Sequence, residues 1–156
     1  MLQGKWLVSA LVVLAVCILT ALYLVLPKGQ YQRNAVTTDL APAPIGPYSQ
    51  AVKAGDLVFV SGQIALDPIT GALDTSNIRS EATLAFKNIG AVLAAAGSGW
   101  DRVVKTTLYL TDLNDFAAVN EVYAGFTGPL PPARETVQVC ALPKGVHIEV
   151  SVVAVR

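Results

Sequence analysis

The chain has 156 residues, with 11 basic and 11 acidic side chains, one His and two Cys. This length allows one ordinary domain and excludes a multidomain enzyme. The lone His147 and the widely separated Cys17 and Cys140 exclude a His-rich metal site, a zinc ribbon and a CxxC redox pair. No block of Lys or Arg is present, so nucleic acid is not expected as a partner.

The net charge of zero hides two unlike parts. Residues 1–34 contain Lys5, Lys28 and Arg33 and no acidic residue, whereas residues 35–156 contain the other 8 basic residues and all 11 acidic ones. A positively charged beginning therefore precedes a domain with net negative charge.

The first part contains an uncharged apolar run of 21 residues at 6–26. A helix of that length would cover the hydrocarbon core of a bilayer, about 30 Å. Trp6 and Tyr23 lie near its ends, where aromatic rings favour the headgroup level, and Lys5 and Lys28 lie just outside. The pattern predicts a single-pass membrane helix with the lipid bilayer as partner. A cleaved signal peptide, a lipoprotein and a buried helix remain as alternatives.

Three regions follow from this division: a transmembrane anchor at 1–27, a tether at 28–42 and a folded domain at 43–156. Prolines in and after the tether deny it helical structure. The basic residues flanking the apolar run are nearly balanced, so they say little about orientation. The short segment ahead of the run slightly favours the exoplasmic, or periplasmic, side for the domain.

The domain reads as an α+β fold in the order ββ-α-β-α-ββ, which predicts a mixed sheet with two helices on one face. A turn at Gly55 joins the first two strands, and Gly97 and Gly99 end the first helix. The expected elements are strands at 49–54 and 57–63, a helix at 82–96, a strand at 103–110, a helix at 116–126, and strands at 135–141 and 146–155.

The sheet face opposite the helices is predicted to need a cover. Eight apolar, β-branched or aromatic strand residues exceed what one helix layer is expected to bury, and association with other subunits is the simple remedy. Partial exposure of some of them is the alternative. These residues are Val58, Val60, Thr107, Tyr109, Val137, Val139, Ile148 and Val150.

Two side chains are candidates for chemistry. Arg134 enters a strand after Pro131 and Pro132, where a fixed guanidinium would suit a small carboxylate ligand; the alternative is a surface ion pair, for example with Glu135. Glu149 lies within an apolar strand and is either a solvated carboxylate or an occluded acid/base group with a raised pKa. A Ser-His or Cys-His nucleophile is disfavoured because only one His is present.

Several short motifs occur together in unbroken order over residues 40–156. The first motifs, Ala43–Gln50 (APIGPYSQ) and Val60–Ile64 (VSGQI), precede the helices. The motifs that follow are Val104–Thr107, Leu113–Phe116, Val119–Asn120, Pro132–Arg134, Leu142–Pro143 and Ile148–Glu149. In this set and order, residues 40–156 resemble the RidA (YjgF-type) family.

The resemblance implies a homotrimer of chorismate-mutase-like subunits, with a central barrel of sheets and active-site clefts between neighbours. It implies hydrolysis of reactive imines and enamines such as 2-aminoacrylate to 2-oxo acids and ammonia, as in 2-iminobutanoate/2-iminopropanoate deaminases, with no cofactor and no metal. By resemblance Arg134 binds the substrate carboxylate and Glu149 positions or activates water. The residues that would line the cleft are Tyr48, Ser61, Gly62 and Asn120.

The chain departs from this family in its apolar first segment, in a shorter loop from Phe126 to Pro132, and in Glu135 directly after the arginine. A carboxylate beside the arginine predicts weaker binding of another carboxylate. A second functional hypothesis follows: a non-catalytic binding or structural module that serves as an accessory subunit of a larger membrane complex.

Overall fold

The computed structural model describes residues 11–21 and 32–156, and the chain divides into two units, 1–31 and Gln32–Arg156. Residues 11–21 are helical with exposed side chains. Among the described residues, no helix combines the length and apolar character needed to cross a membrane. The predicted transmembrane helix at 6–26 is therefore not supported, and its ends at 6–10 and 22–26 lie outside the described residues.

The folded unit starts at Gln32, within the region predicted to be a tether. Strand β1 (Arg33–Val36) pairs antiparallel with β2 (Ala51–Ala54), and the Val36 side chain is buried. Residues 38–42 are held by the buried Gln50 amide, which accepts a hydrogen bond from the Thr38 N–H and donates to three backbone carbonyls. The tether at 28–42 is thus corrected from Gln32 onward, because paired backbone and a buried amide fix it.

The predicted hairpin is confirmed. Strand β2 is joined to β3 (Leu57–Gln63) by a turn in which Gly55 has φ of 61°, a left-handed conformation that glycine adopts without strain. The pairing of β3 with β6 (Ile148–Val155) shifts register between Val60 and Gln63. This irregularity bends the chain near Ser61 and Gly62.

Both predicted helices are present. Helix α1 (Ile78–Ala96) begins where the Asn77 side chain accepts the Ser80 N–H, and it ends at Gly97 with φ of 81°. Its start precedes the predicted one because the cap lies before the first apolar residue of the pattern. Helix α2 (Phe116–Thr127) follows a short 3-10 turn, Leu113–Asp115.

The six strands form one mixed sheet in the order β1-β2-β3-β6-β4-β5, where β4 is Val103–Leu110 and β5 is Ala133–Gln138. Strands β4 and β5 are parallel, and the other neighbours are antiparallel. Strand β6 begins at Ile148 rather than 146, because a turn at Pro143–Gly145 precedes it.

The helices and one face of the sheet enclose the core. Strand alternation places half of the eight residues predicted for the open face beneath the helices instead, which corrects that prediction. These four residues are fully or almost fully buried: Val58, Val60, Ile148 and Val150. The open face carries Leu57, Phe59, Val137 and Val155, all exposed, with Thr107 and Tyr109 half-buried among them.

Candidate active site

A cavity of about 270 Å³ is lined by Glu149 and six other residues. Four of the six residues predicted from sequence meet in it, namely Tyr48, Ser61, Gly62 and Glu149. Three apolar residues complete the lining: Ile45, Ile64 and Pro143. In the sequence these three residues occur within motifs and have no predicted role.

Hydrogen bonds fix the loop that brings Tyr48 to this cavity. The Ser61 hydroxyl donates to the Ser49 carbonyl at 2.7 Å, and the Ser61 N–H donates to the Gln50 carbonyl at 3.0 Å. The Tyr48 hydroxyl accepts the Ile45 N–H at 3.2 Å. The loop is therefore tied to β3 on one side and closed on itself on the other.

Glycine at position 62 makes room for the Glu149 carboxyl group. A Cβ added to Gly62 would lie 1.7 Å from Glu149 Oε1, closer than any two such atoms can approach. Burial raises the pKa of Glu149 above its ordinary value. Glu149 is therefore partly buried rather than a fully solvated carboxylate, and its role as an acid/base group stays a prediction.

A second cavity, of about 460 Å³, lies at the Arg134 guanidinium. Asn120, the other predicted residue, also lines it, and Asn120 Oδ1 is buried with no hydrogen-bond partner among the described residues. The remaining lining residues are Tyr123, Ala124, Thr127, Gly128, Pro131 and Pro132.

Two aromatic rings of α2 support the guanidinium. Arg134 Cζ lies 4.9 Å from the centre of the Tyr123 ring and 5.5 Å from that of Phe116, within the range of cation–π attraction. The Tyr123 hydroxyl hydrogen-bonds the Thr106 hydroxyl at 3.0 Å, which anchors the ring. Burial raises the pKa of Tyr123, and this hydrogen bond and the charge of Arg134 oppose the rise.

The N–H groups of Arg134 remain available, since no acidic residue of the described segments forms a salt bridge with it. The sequence places Phe116 and Tyr123 only within the predicted helix at 116–126 and gives them no role. Their spacing from Arg134 along the chain gives no sign of the stacking, which arises from the packing of α2 beside β5.

Glu135 lies on the opposite face from Arg134. Its carboxylate accepts hydrogen bonds from Lys105 Nζ and from the Thr107 hydroxyl, both at 2.9 Å. These two bonds lower the pKa of Glu135, that from Lys105 most. The alternative of an ion pair between Arg134 and Glu135 is therefore wrong. The weaker binding of a carboxylate expected from Glu135 stays a prediction.

The two cavities lie on opposite faces of the sheet. Glu149 pairs with Tyr109, which in turn pairs with Val137, so these three side chains share the open face. Arg134 is three positions from Val137 on β5 and points the other way, toward α2. One chain therefore presents two half-sites: a Glu149 half-site, with Tyr48, Ser61 and Gly62, and an Arg134 half-site, with Asn120.

No group of three or more His, Cys, Asp or Glu side chains arranged to hold a metal ion occurs in the described parts of the chain.

Comparison with known proteins agrees with the fold and with the motifs. The family model described as endoribonuclease L-PSP (Ribonuc_L-PSP) matches residues 38–156. The 2-iminobutanoate/2-iminopropanoate deaminase of Homo sapiens is 47% identical over 124 residues, which cover 80% of this chain and 90% of that protein. The deaminase of the same name from Mus musculus is 46% identical over 124 residues, covering 80% and 92%.

Solved structures give the same result. RidA from an Antarctic Psychrobacter superposes with a TM-score of 0.77 at 44% identity, covering 79% of this chain and 99% of that one. The structure of E. coli TdcF with bound serine gives 0.74 at 41% identity, covering 79% and 98%. The chain belongs to the RidA/YjgF (Ribonuc_L-PSP) family.

Proposed function

We propose that this protein hydrolyses reactive 2-imino and 2-enamino acids to 2-oxo acids and ammonia. The observation that carries the proposal is the Arg134 guanidinium, stacked on two aromatic rings in an open cavity and free of any acidic partner in the described segments. Two relatives bear the name of deaminases of this kind, and a third was solved with serine, an amino acid that carries a carboxylate.

Arg134 binds the substrate carboxylate in this proposal. A planar guanidinium donates two parallel hydrogen bonds to a carboxylate, and stacking against Tyr123 and Phe116 leaves the edge that donates them uncovered. Asn120 Oδ1, buried without a partner among the described residues, can accept an N–H of the imine.

Glu149 acts on water. The carboxylate takes a proton from water as the oxygen bonds to the imine carbon, and it gives this proton to the imine nitrogen. The remaining hydroxyl proton then passes through the same carboxylate to the nitrogen as the carbon–oxygen double bond forms and the carbon–nitrogen bond breaks. One imino acid and one water thus give one 2-oxo acid and one ammonia, and the enamine enters the reaction as its imine tautomer. The raised pKa of Glu149 suits a group that both takes and returns a proton.

The two half-sites need a second copy of the chain to meet. Since they lie on opposite faces of one sheet, the Glu149 half-site of one subunit would face the Arg134 half-site of its neighbour. The exposed apolar residues Leu57, Phe59 and Val137 on the open face favour such assembly, and a homotrimer is the form we propose.

The test is ammonia release from freshly generated 2-aminoacrylate by the purified full chain, compared with its spontaneous hydrolysis. We expect clear acceleration by the protein, loss of acceleration in Arg134→Ala, and a 2-oxo acid as the other product. Equal rates with and without protein would favour the alternative, a non-catalytic module or accessory subunit of a membrane complex. Sizing after gentle detergent extraction then tests for a larger complex.

The family description names an endoribonuclease, and RNA cleavage is therefore the control activity. Residues 35–156 carry 8 basic against 11 acidic residues, a balance that opposes binding of phosphates. We expect no cleavage of single-stranded RNA under conditions where 2-aminoacrylate is hydrolysed, and cleavage without deamination would contradict the proposal.

Attachment to a bilayer through residues 6–26 stays a prediction from the sequence. What supports it is the uncharged run of 21 residues and the exposed apolar side chains at 11–21. Alkaline carbonate washing of membranes from cells that express the full chain is the test, with retention in the pellet expected. Protease accessibility in intact cells then tests the exoplasmic side as the location of the domain.

A further inference from the structure

Glu81 is a fully buried acidic residue that the proposed chemistry does not use. It lies in the first turn of α1, where its own N–H bonds the Asn77 carbonyl. A buried carboxylate is costly unless hydrogen bonds replace its lost hydration. The hydrogen-bond partners of the Glu81 carboxylate therefore indicate which part of the structure it stabilises.

All of the partners of the Glu81 carboxylate belong to two residues at the entrance of β6. Oε1 accepts the His147 N–H at 2.5 Å and the Ile148 N–H at 3.2 Å, and Oε2 bonds His147 Nδ1 at 2.9 Å. The His147 ring is about half exposed. The hydrogen bond from the His147 N–H is partly buried, and that from the Ile148 N–H is buried. The carboxylate thus joins the start of α1 to two consecutive amides.

His147 and Ile148 directly precede Glu149 in the chain. The Pro143–Gly145 turn lies on the N-terminal side of His147, and Lys144 and Gly145 in this turn have positive φ values of 59° and 71°. The His147 carbonyl accepts the Thr111 N–H at 3.0 Å, which gives a second fixed point. Both Pro143 and Glu149 line the same cavity, so the segment between them sets its width.

We propose that Glu81 is a positioning residue for Glu149: its carboxylate fixes the two amides ahead of Glu149 and thereby holds the Glu149 carboxyl group at the cavity. This inference rests on the proposed function. Small displacements of a reacting group cost about 10- to 100-fold in rate, so a fixed strand entrance matters to turnover.

Substitutions at Glu81 and His147 can separate the effect of the reach of the Glu81 side chain from the effect of its charge. Glu81→Gln keeps an oxygen acceptor at the same reach and loses the formal charge. Glu81→Asp keeps the charge but is one methylene shorter, so it loses the reach to both amides. Glu81→Ala loses both, and His147→Ala removes only the imidazole bond and keeps the two amide bonds.

Activity of the full chain on 2-aminoacrylate is the first readout. We expect kcat to fall about 10- to 100-fold in Glu81→Asp and Glu81→Ala, and to stay within about threefold of wild type in Glu81→Gln and His147→Ala. KM should change less than about threefold in all four, because the Arg134 half-site is untouched. Circular dichroism and thermal unfolding establish the folded fraction by which each kcat is corrected.

The second readout needs no turnover. The chain has four Glu residues, so carbon-13 NMR of labelled Glu carboxyl groups can follow Glu149, identified by loss of its signal in Glu149→Gln. Wild type and Glu81→Gln should share a Glu149 titration above the ordinary pKa, whereas Glu81→Asp should shift it toward the ordinary value as the carboxyl group gains water.

The two readouts distinguish the two proposals. If the titrations differ as expected but wild type releases no ammonia, the proposed function fails and the positioning role stands. If Glu81→Asp matches Glu81→Gln in both kcat and titration, the positioning role is overturned whatever the activity. Should Glu81→Ala fail to fold, the comparison of Glu81→Asp with Glu81→Gln decides alone.

Discussion

The key side chains of the two half-sites, Arg134 and Glu149, are positioned in different ways. Arg134 is held by contact, with two aromatic rings against its guanidinium and a hydrogen bond behind one of them. Glu149 depends on the missing side chain of Gly62, because a Cβ there would overlap its carboxyl group, and burial raises its pKa. A permanent charge suits binding and a titratable charge suits proton transfer, so in the proposed reaction Arg134 binds the substrate and Glu149 transfers protons.

The largest effect is expected from removing the charge of the Arg134 half-site. Arg134→Ala should lower kcat/KM about 1,000-fold, since two charge-assisted hydrogen bonds to the substrate are lost. Arg134→Lys should recover little, because an ammonium keeps the charge without the planar fork. Initial rates on 2-aminoacrylate measure both variants, and a lysine variant as active as wild type would contradict the carboxylate clamp.

Mixing two inactive variants tests whether the halves belong to different subunits. Arg134→Ala and Glu149→Gln should each be inactive, and unfolding and refolding them together should restore activity to about a quarter of wild type, if neighbours combine at random. Each restored cleft would take its Arg from one variant and its Glu from the other. Absence of any recovery, with mixed oligomers present by mass spectrometry, would place both halves of the working site in one chain.

A single methyl group should disturb the Glu149 half-site without touching Arg134. In Gly62→Ala the new Cβ would overlap the Glu149 carboxyl group, so we expect kcat to fall about 100-fold with KM little changed. Gly125→Ala in α2 is the matched control, because its Cβ would meet nothing within 4 Å. That variant should be fully active and no less stable by thermal unfolding.

Removing the aromatic contact of Arg134 should lower activity less than the substitutions above, mainly through a higher KM. Tyr123→Leu removes the nearer ring and should raise KM about 3- to 10-fold. Tyr123→Phe keeps the ring and loses the hydrogen bond to Thr106, so KM should hold while stability falls by about 1 kcal/mol. If both variants raise KM equally, the hydroxyl group rather than the ring supports Arg134.

The smallest expected effect is on stability. Because the pKa of Glu149 is raised in the folded protein, the native state holds this proton more tightly than the unfolded chain does, and stability falls as pH rises through the folded pKa. Glu149→Gln removes that loss, so its melting temperature should exceed that of wild type by about 1–3 °C at pH 7 and match it at pH 4. A lower melting temperature at pH 7 would contradict the burial cost.

Periodicity and turn residues predicted the domain well, because they act locally. Gly55 and Gly97 end elements through their own backbone conformation, and both were found from sequence. The prediction of the open face was wrong for half of its residues. Alternation divides strand residues into two sets but does not show which set the helices cover. Side chains such as Val58 and Ile148 became assignable only once the strands were aligned.

Arg134 and Glu149 are candidates from their positions in the sequence, and the other four site residues come from a resemblance in motifs. Neither source predicts how the six residues divide between two cavities. Tyr48, Ser61 and Gly62 meet Glu149 because β3 and β6 are neighbours, although they are far apart in the chain. The contacts of Tyr123 and Glu81 depend on how helices pack beside strands, which spacing within one segment does not encode. Such support residues therefore escape a reading of motifs alone.

Strand β1 also determines how the sheet ends. Unpaired strand edges expose N–H and C=O groups that can recruit strands from other molecules, and short or charged edge strands discourage this. Here β2 would be the outermost strand without β1, which is four residues long and begins with the exposed Arg33 and Asn34. The segment that resembled a linker in the sequence thus protects this side of the sheet against aggregation, and truncating it would expose β2.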